Sequence, residues 1–533
     1  MRLRRPQQGI ALIVVLAALV MIGAYFMYAS LNIAAVRVER DQSTNNALRK
    51  AKEALIAYAV ADANRPGELP CPDVNDDGAV VVGEDTAGSN CKSLIGRLPW
   101  KTLDLPDLRD DSGERLWYAL SNDFHANGSV ALNSDTAYRS GNTSLIVRSP
   151  SAVPASPNGV VVAVVFSPGA TLRRADGISQ TRGCTVGTNC DATLKCTTSP
   201  ASLTPKCNPQ NYLDKESVSG EDNADLLPSA NPQFVTADRS ETFNDKLMPI
   251  YSDDIMTIVQ RRAGRELAQH LRDHYDTWAS PPPVSGTTFS SFKGFYPWAA
   301  PLSDPATPAA GANGTQNGQL PLSTSSMLWN APSATLGICS GANTAQISCT
   351  ATSLLSLLTV NGRIRNVATS FIDPPTAANV TVSGLVFGST ITWTLNPSQQ
   401  ALDFQWSATI LGVATVTASL PQASSWTTSS WLIDNNWTQN ALYAVAPGYA
   451  INGSNSCGQC ITVSNTSSPN NNQALVLMTG RALDTQTSRA TTTPKTAALY
   501  LEGSNATATT GNLIFQNGTQ GTTFNDYPIV VRP

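Results

Sequence analysis

Charged residues are scarce in this chain of 533 residues, where Asp, Glu, Lys and Arg together make up only 14%. Ordinary soluble domains carry roughly 25%, so much of the polar surface here must come from Ser, Thr, Asn and Gln. The formal net charge is −4. Without an excess of basic residues the chain has no field that attracts nucleic acid, and we predict no nucleic-acid partner.

Histidine is rarer still, with three residues in the whole chain. His270 and His274 stand four apart in a helical segment and could face one metal ion, but no third ligand accompanies them. They flank an apolar stripe, which favours packing or solvent exposure. His125 has no nucleophile pattern near it. A Ser-His-Asp site is assembled in space and is not excluded by sequence, but nothing supports one, so we predict that the protein is not an enzyme.

A long apolar run without charged residues lies at the N-terminus, between Pro6 and Val36. About 20 apolar residues cross a bilayer core as a helix, so residues 10–36 are long enough to span. Three arginines within the first five residues would hold the N-terminus in the cytoplasm. A cleaved secretory signal is the alternative, but its apolar stretch is usually about 7–15 residues. We therefore predict a single-pass inner-membrane helix with the remainder of the chain in the periplasm.

The apolar run continues without a turn signal into a second helical segment. Leu48, Ala51, Leu55 and Tyr58 recur there at helical spacing. This periodicity predicts an amphipathic half that extends the membrane helix.

The leader RRPQQG followed by IALIVVLAALV resembles the prepilin signal of type IV pilins and type II secretion pseudopilins. The resemblance implies cleavage after Gly9 and N-methylation of Ile10 by the prepilin peptidase. Major pilins have Glu as the fifth residue after the cut, whereas this chain has Val14. Because that carboxylate is thought to pair with the amino terminus of a neighbouring subunit, its loss implies a minor subunit. An anchor helix alone is the alternative interpretation.

Ten cysteines fall in local groups, as expected of disulfides formed in an oxidising compartment. A redox role for the Cys457-Gly-Gln-Cys460 motif is the alternative to a disulfide, but the motif lies in a loop that enters a strand. The candidate pairs are Cys71 with Cys91, Cys339 with Cys349 and Cys457 with Cys460, and the sequence does not decide the pairing within the group Cys184, Cys190, Cys196 and Cys207.

Several segments occur twice in the same order, which predicts two copies of one unit. A second amphipathic helix carries Ile255, Val259, Ala263, Leu267 and Leu271 on one face. The matched segments are GRLPWKTLDLPD (96–107) with GFYPWAAPLSDP (294–305), RLWYALS with ALYAVAP, NGVVVAVVFSPGATL with NQALVLMTGRAL, NYLD with LYLE, and ETFNDKLMPI (241–250) with TTFNDYPIVV (522–531).

Each copy consists of a helix followed by short apolar strands with Gly, Pro and Asn turns. This order predicts an α+β fold, with a long N-terminal helix packed on an antiparallel sheet and the head unit duplicated. Strand-like runs within the second copy predict an inserted all-β domain. The predicted divisions are the leader 1–9, the membrane helix 10–36, the first head 37–250, the second head 251–304 plus 431–533, and the inserted β domain 305–430.

The segment DVNDDGAVVVGE fits the calcium-loop pattern D-x-[DN]-x-[DN]-G-x5-E. Calcium takes six to eight oxygen ligands, which a tight loop can supply from short side chains and a backbone carbonyl. An acidic surface turn is the alternative, because the flanks are not EF-hand helices. The predicted structural calcium ligands are Asp73, Asn75, Asp77, the carbonyl of Ala79, and Glu84.

These observations together predict a noncatalytic minor subunit, possibly at the tip, of a type IV pilus or a type II secretion pseudopilus. Its expected partners are other pilins or pseudopilins, bound through the N-terminal helix, the prepilin peptidase and methyltransferase, and inner-membrane lipid before assembly. After assembly the protein would lie in a fibre in the periplasm or at the cell surface. The alternative function is a membrane-anchored adhesin or carbohydrate-binding protein that uses the inserted domain.

Overall fold

The protein is described here from a computed structural model. The side chains of 8–14, 23–37, 87, 274, 276–279 and 323–425 are not part of the description. The described residues are 8–82, 86–87, 90–125, 131–135, 145–150, 160–182, 208–225, 233–279, 296–302, 314–321, 323–324, 337–340, 346–351, 356–366, 377–383, 390–394, 399–410, 415–416, 424–425, 430–450, 456–483, 486, 489 and 495–533.

Helices and antiparallel strands are mixed along the chain, in agreement with an α+β fold. In chain order the described elements are α1 Gln8–Ala61, β1 Thr86–Ala87, β2 Asn90–Cys91, β3 Ile95–Arg97, β4 Trp117–Leu120, β5 Ile146–Arg148, β6 Val161–Ser167, β7 Gln233–Val235, β8 Lys246–Tyr251, α2 Ser252–Ala279, β9 Asn317–Gln319, β10 Ser323–Thr324, β11 Gly337–Ser340, β12 Gln346–Ala351, β13 Ser356–Asn366, β14 Ala377–Ser383, β15 Thr390–Thr394, β16 Gln399–Ile410, β17 Thr415–Val416, β18 Ser424–Ser425, α3 Ser430–Asp434, β19 Ala441–Val445, β20 Thr462–Ser464, β21 Ala474–Met478, α4 Gly503–Thr507, β22 Ile514–Gln516 and β23 Tyr527–Arg532.

The helix α1 is continuous over 54 residues, and its C-terminal part packs on a sheet. Leu48, Ala51 and Leu55 are buried, whereas Tyr58 at the end of the predicted stripe is 36% exposed. Among the residues that the structure describes, none of the helices is both long and apolar enough to cross a membrane. Most side chains of the segment 10–36 lie outside that description, so the predicted membrane span stays a prediction.

The first sheet has the strand order β3-β4-β6-β8, with antiparallel pairs throughout. The central strand β6 is buried at every position because both of its faces are covered. Val162 and Val165 face the core beneath α1, and Val164 and Phe166 face a second cluster that contains Phe234. The uninterrupted apolar run of β6 follows from this double coverage.

The second sheet repeats this arrangement with the order β9-β19-β21-β23. Tyr118 of β4 pairs with Val165 of β6, and Tyr443 of β19 pairs with Val476 of β21 in the same way. A short parallel pair accompanies each sheet, formed by β5 with β7 and by β20 with β22. We call α1 with β1–β8 the first unit, and α2 with β9 and β19–β23 the second unit.

One predicted match between the units is wrong. Gly96 of β3 lies against the backbone of Asp73, and Gly318 of β9 lies in the same way against Ala300. The edge strand Gly-Arg-Leu-Pro at 96–99 therefore corresponds to Gly-Gln-Leu-Pro at 318–321, not to the Pro-Trp segment 294–305. The strand register decides this match, which the shared Pro-Trp dipeptide had obscured.

The same observation moves the start of the inserted segment. The strand β9 falls inside the predicted inserted domain 305–430, yet it forms the edge of the second sheet. The boundary at 305 is therefore too early. The inserted segment lies between β9 and α3, and its first and last described strands, β10 and β18, pair with each other. Within it are two sheets, with the orders β11-β12-β15-β17 and β14-β13-β16.

The two units share one apolar core, because α1 and α2 pack against each other. The described face of α2 is the predicted one, and Ile255, Val259, Ala263, Leu267 and Leu271 are all buried. Polar contacts also join the units at their surface. Lys52 of α1 forms an ion pair of 2.7 Å with Asp254 of α2, and Arg262 donates to the backbone oxygens of Val60 and Asp62.

Candidate functional sites: the acidic loop and the buried carboxyl pairs

The predicted processing residues, Gly9 and Ile10, lie in the first turns of α1, and their side chains are outside the described residues. Farther along the helix, six large apolar side chains are 52% to 67% exposed. They are Val15, Leu16, Leu19, Val20, Met21 and Ile22. This part of α1 thus presents an apolar surface that the rest of the described chain does not cover.

The acidic loop is built around the buried carboxylate of Asp73. Its Oδ1 accepts hydrogen bonds from the backbone N–H groups of Asn75 and Asp76, and its Oδ2 accepts one from Gly78 over 2.7 Å. Asn75 and Asp77 each accept a bond from the N–H two residues ahead. Gly78 has a φ of +89°, which a side chain would strain. Four of the five predicted calcium ligands therefore belong to one tight turn, namely the side chains of Asp73, Asn75 and Asp77 and the carbonyl of Ala79.

Basic side chains surround this loop. Asp76 forms ion pairs with Arg115 at 3.0 Å and with Arg97 at 3.7 Å, and Lys101 donates to the carbonyl oxygen of Asp77. Burial is the largest influence on Asp73 and raises its pKa to about 6, against the opposing effect of its three amide donors. The loop is thus held by its own amides and by neighbouring cations.

Glu84, the predicted bidentate ligand, lies outside the described residues. Within the described part of the chain, no group of three or more His, Cys, Asp or Glu side chains is placed to hold a metal ion. The calcium site stays a prediction.

Two of the predicted disulfides are formed. Cys71–Cys91 ties the start of the acidic loop to β2, and Cys457–Cys460 closes the short loop before β20. Cys339 and Cys349 are directly opposite in the β11–β12 register, but their side chains are outside the description. The remaining four, Cys184, Cys190, Cys196 and Cys207, lie outside the described residues.

The two histidines whose side chains are described, His125 and His270, are both buried. The ring Nε2 of His125, a buried residue, lies 3.1 Å from the Asn122 side-chain oxygen. His270 is buried on α2, with Nε2 3.7 Å from a carboxylate oxygen of Glu266. The side chain of His274 is outside the described residues, and so is the geometry of the predicted His270–His274 pair.

A buried pair of carboxyl groups lies at the end of the first sheet. Asp214 and Asp245 are 0% and 3% exposed. Asp214 accepts bonds from Gln180 Nε2 at 2.8 Å, from the N–H of Asn244 at 2.6 Å and from the N–H of Asp245 at 3.1 Å. Oδ2 of Asp245 accepts the N–H of Asp214 at 2.8 Å and the amide of Asn223 at 3.0 Å.

The second unit contains the same hydrogen-bond arrangement with Asp526, which is 0% exposed, and Glu502, which is half-buried. Glu502 accepts bonds from Gln486 Nε2 at 2.8 Å and from the N–H groups of Asn525 and Asp526 at 3.0 and 3.2 Å. Oδ2 of Asp526 accepts the N–H of Glu502 and the amide of Asn505, both at 2.9 Å. Each bond of the first pair thus has a counterpart in the second.

A buried arginine accompanies each pair. Arg489 donates to the backbone oxygens of Leu499, Gly480 and Tyr500 and to Oε1 of Gln486. Arg182 makes the corresponding contacts in the first unit, with backbone oxygens of Asn211, Gly169 and Tyr212 and with Gln180. Each arginine thus connects the turn that carries Asp214 or Glu502 to the residues that follow β6 or β21, respectively.

Sequence reasoning did not single out these carboxyl pairs. Their partners are far apart in sequence, so a local pattern does not reveal that they meet. The available signal was the repeat itself, because NYLD and LYLE end on Asp214 and Glu502, and both TFND segments end on Asp245 and Asp526. Acidic and amide residues that recur at matching positions in an internal repeat indicate a shared polar contact.

A polar cavity of about 130 Å³ lies between the first turns of α2 and the loops that follow β21 and precede β23. Asp253 and Arg481 form an ion pair of 2.9 Å at its wall. Ser134 of the first unit and Asn525 also line it, and each has a buried oxygen without a hydrogen-bond partner among the described residues. Such a lining suits water or a small polar molecule.

Comparison of the chain with protein-family profiles, with curated proteins and with solved structures found no match.

Proposed function

We propose that this protein is a noncatalytic minor subunit of a type IV pilus or of a type II secretion pseudopilus. The observation that carries the proposal is the continuity of α1. One helix runs from an exposed apolar segment at 15–22 to a stripe buried on the first sheet at Leu48, Ala51 and Leu55. A subunit that polymerises through its N-terminal helix needs this division, with one part free for neighbours and one part fixed to the head.

The size of the head favours a low-copy position. Two units and the inserted segment all follow one N-terminal helix, and a head of this bulk would crowd its neighbours if it were repeated along a fibre. Val14 agrees with this position through the resemblance to pilins, since that position carries Glu in major subunits. In this proposal the protein is made in the inner membrane with its head in the periplasm.

The N-terminus of the mature protein tests the proposal. In the parent strain, mass spectrometry should find a chain that begins at N-methylated Ile10. A strain without the prepilin peptidase should retain the nine-residue leader, and so should a Gly9→Val variant in the parent strain. The same unprocessed N-terminus in all three samples would contradict the proposal.

The inserted segment supports an alternative function in adhesion. It contains two sheets of its own, and both of its ends leave the second unit at the β10–β18 pair. A segment attached in this way is suited to display a binding surface. The full-length protein and a variant that lacks 325–423 can be compared for binding to immobilised glycans, and binding that is lost in the shortened chain would favour the adhesin.

A further inference from the structure

In each of the two carboxyl pairs, one carboxyl group accepts fewer hydrogen bonds than the other. In the first unit the Asp214 carboxylate accepts three hydrogen bonds, whereas Asp245 accepts two, both on Oδ2. Oδ1 of Asp245 is buried and has no hydrogen-bond partner among the described residues, and the same holds for Oδ1 of Asp526. The same oxygen is thus left over in both units.

Charge considerations point in the same direction. A buried carboxylate needs donors on both oxygens or a nearby cation, and two carboxylates in contact disfavour a second negative charge. Asp214 and Glu502 have donors on both oxygens, but Asp245 and Asp526 do not. A proton on the unpartnered oxygen removes the second charge.

We propose that each carboxyl pair holds one proton at neutral pH, located on Asp245 in the first unit and on Asp526 in the second. Asp214 and Glu502 then carry the negative charge. The head then holds two buried protons, one in each unit.

The neighbouring charged groups are consistent with one negative charge per pair. In the first unit Arg182 is the cation that acts on both carboxyls, and it also lies 3.7 Å from Glu114. In the second unit Arg489 has this role, with Asp135 at 3.4 Å. Among the described residues, each site thus has one such guanidinium, and that group also interacts with another acid.

The directions of the pKa shifts agree with this assignment. Burial, followed by the charge of Asp214, raises the pKa of Asp245 well above its usual range. Burial and the neighbouring Glu502 do the same to the pKa of Asp526. Asp214 has its pKa raised only to about 6, because its backbone and Gln180 donors oppose the effect of burial.

Infrared spectroscopy of the full-length protein in detergent micelles tests the proposal directly. At pH 7.5 the unsubstituted protein should show the C=O stretch of protonated carboxyl groups, with an isotope shift in D₂O. Asp245→Asn and Asp526→Asn should each remove part of this band, and the double variant should remove the parts assigned to both. Asp238→Asn, at an exposed position, is the matched control and should leave the band unchanged.

The partner positions give an independent measurement. Asparagine resembles a neutral carboxyl group, so Asp245→Asn should lower the urea midpoint only slightly. Asp214→Asn should lower it more, because it replaces a carboxylate that accepts three hydrogen bonds with a side chain that has only one acceptor oxygen. The same order should hold for Asp526→Asn against Glu502→Gln. Absence of the protonated-carboxyl band in the unsubstituted protein at pH 7.5, which needs no variant, would overturn the proposal, and so would a band that both Asn variants leave intact.

Discussion

Asp214 and Asp245 each accept a hydrogen bond from the backbone N–H of the other, over 3.1 and 2.8 Å respectively. The two residues are 31 positions apart, so this exchange joins the turn at Asp214 to the residue that precedes β8. Glu502 and Asp526 repeat it in the second unit. In each unit this contact holds a turn against the start of the last strand of the sheet.

The pH dependence of stability follows from these pairs. An unfolded Asp has a pKa of about 3.9, whereas burial raises that of Asp214 to about 6 and that of Asp245 further. The folded state therefore binds more protons, and the stabilisation is complete below about pH 4 and is lost as the pH rises through about 6 and above. We expect a higher melting temperature at pH 5 than at pH 7.5.

Other carboxylates set the acid limit of this profile. Burial tends to raise the pKa of Asp107 and Asp176, but the hydrogen bonds and charges of neighbouring arginines outweigh it and lower both pKa values. The contribution of these two groups to stability is therefore present above about pH 4 and is lost as the pH falls. In an Asp245→Asn and Asp526→Asn double variant, the difference between pH 5 and pH 7.5 should shrink. A melting temperature that rises steadily from pH 5 to pH 7.5 in the unsubstituted protein would contradict the expectation.

Replacement of Arg489 by alanine should be strongly destabilising. The side chain is buried and donates to three backbone oxygens and to Gln486, while Asp135 is 3.4 Å away. Removing the cation leaves these acceptors unpaired and should cost about 3–5 kcal/mol, measured by urea unfolding. Arg49→Ala is the control, since its ion pair with Glu53 is exposed and should be worth less than about 1 kcal/mol. Equal losses for the two variants would be inconsistent with this account.

Gly96→Ala and Gly318→Ala should weaken the same edge of each sheet. A Cβ at Gly96 would lie 2.6 Å from the carbonyl oxygen of Asp73, and one at Gly318 would overlap the carbonyl oxygen of Ala300. Backbone must move in both cases, at a cost of about 1–3 kcal/mol or more. Gly521→Ala meets nothing within 4 Å and should be neutral. Thermal melts of the three variants check the match between the two edge strands, and a stable Gly318→Ala variant would speak against it.

Calcium binding can be tested by the melting temperature of the full chain. A ligand at a hundred times its Kd should stabilise the folded state by about 2.7 kcal/mol. We expect added Ca²⁺ to raise the melting temperature, and Asp77→Ala to remove that increase whatever its own effect on stability. Asp238→Ala, at an exposed site elsewhere, should keep the full increase. No increase in the unsubstituted protein, or one of equal size in Asp77→Ala, would refute the calcium site.

Features that depend on local periodicity could be predicted from the sequence. The buried face of α2 was predicted from Ile255, Val259 and Leu267, because burial of one helix face leaves a 3.6-residue period. The repeated segments around Tyr118 and Tyr443 likewise fall on corresponding strands. These signals are local, so a single sequence is enough to show them.

Features that depend on register and tertiary contact could not be predicted in this way. The Pro-Trp dipeptides suggested one alignment of the units, and strand pairing at Gly96 and Gly318 shows another. The Asp245 site needs Asp214 and Asn223 to arrive from separate loops, and no spacing rule links them. The alignment and the pairs both became evident only once the sheets were in place.

The pairing of β10 with β18 has a consequence for how the chain can vary. Ser323 lies opposite Ser425, and paired strands are only about 5 Å apart, so the segment enters and leaves the second unit at one point. The entropy of closing such a loop grows only with the logarithm of its length. The segment between these strands can therefore be lengthened, shortened or exchanged for another while the surrounding sheet keeps its register. Natural variation and protein engineering can both replace it at this position.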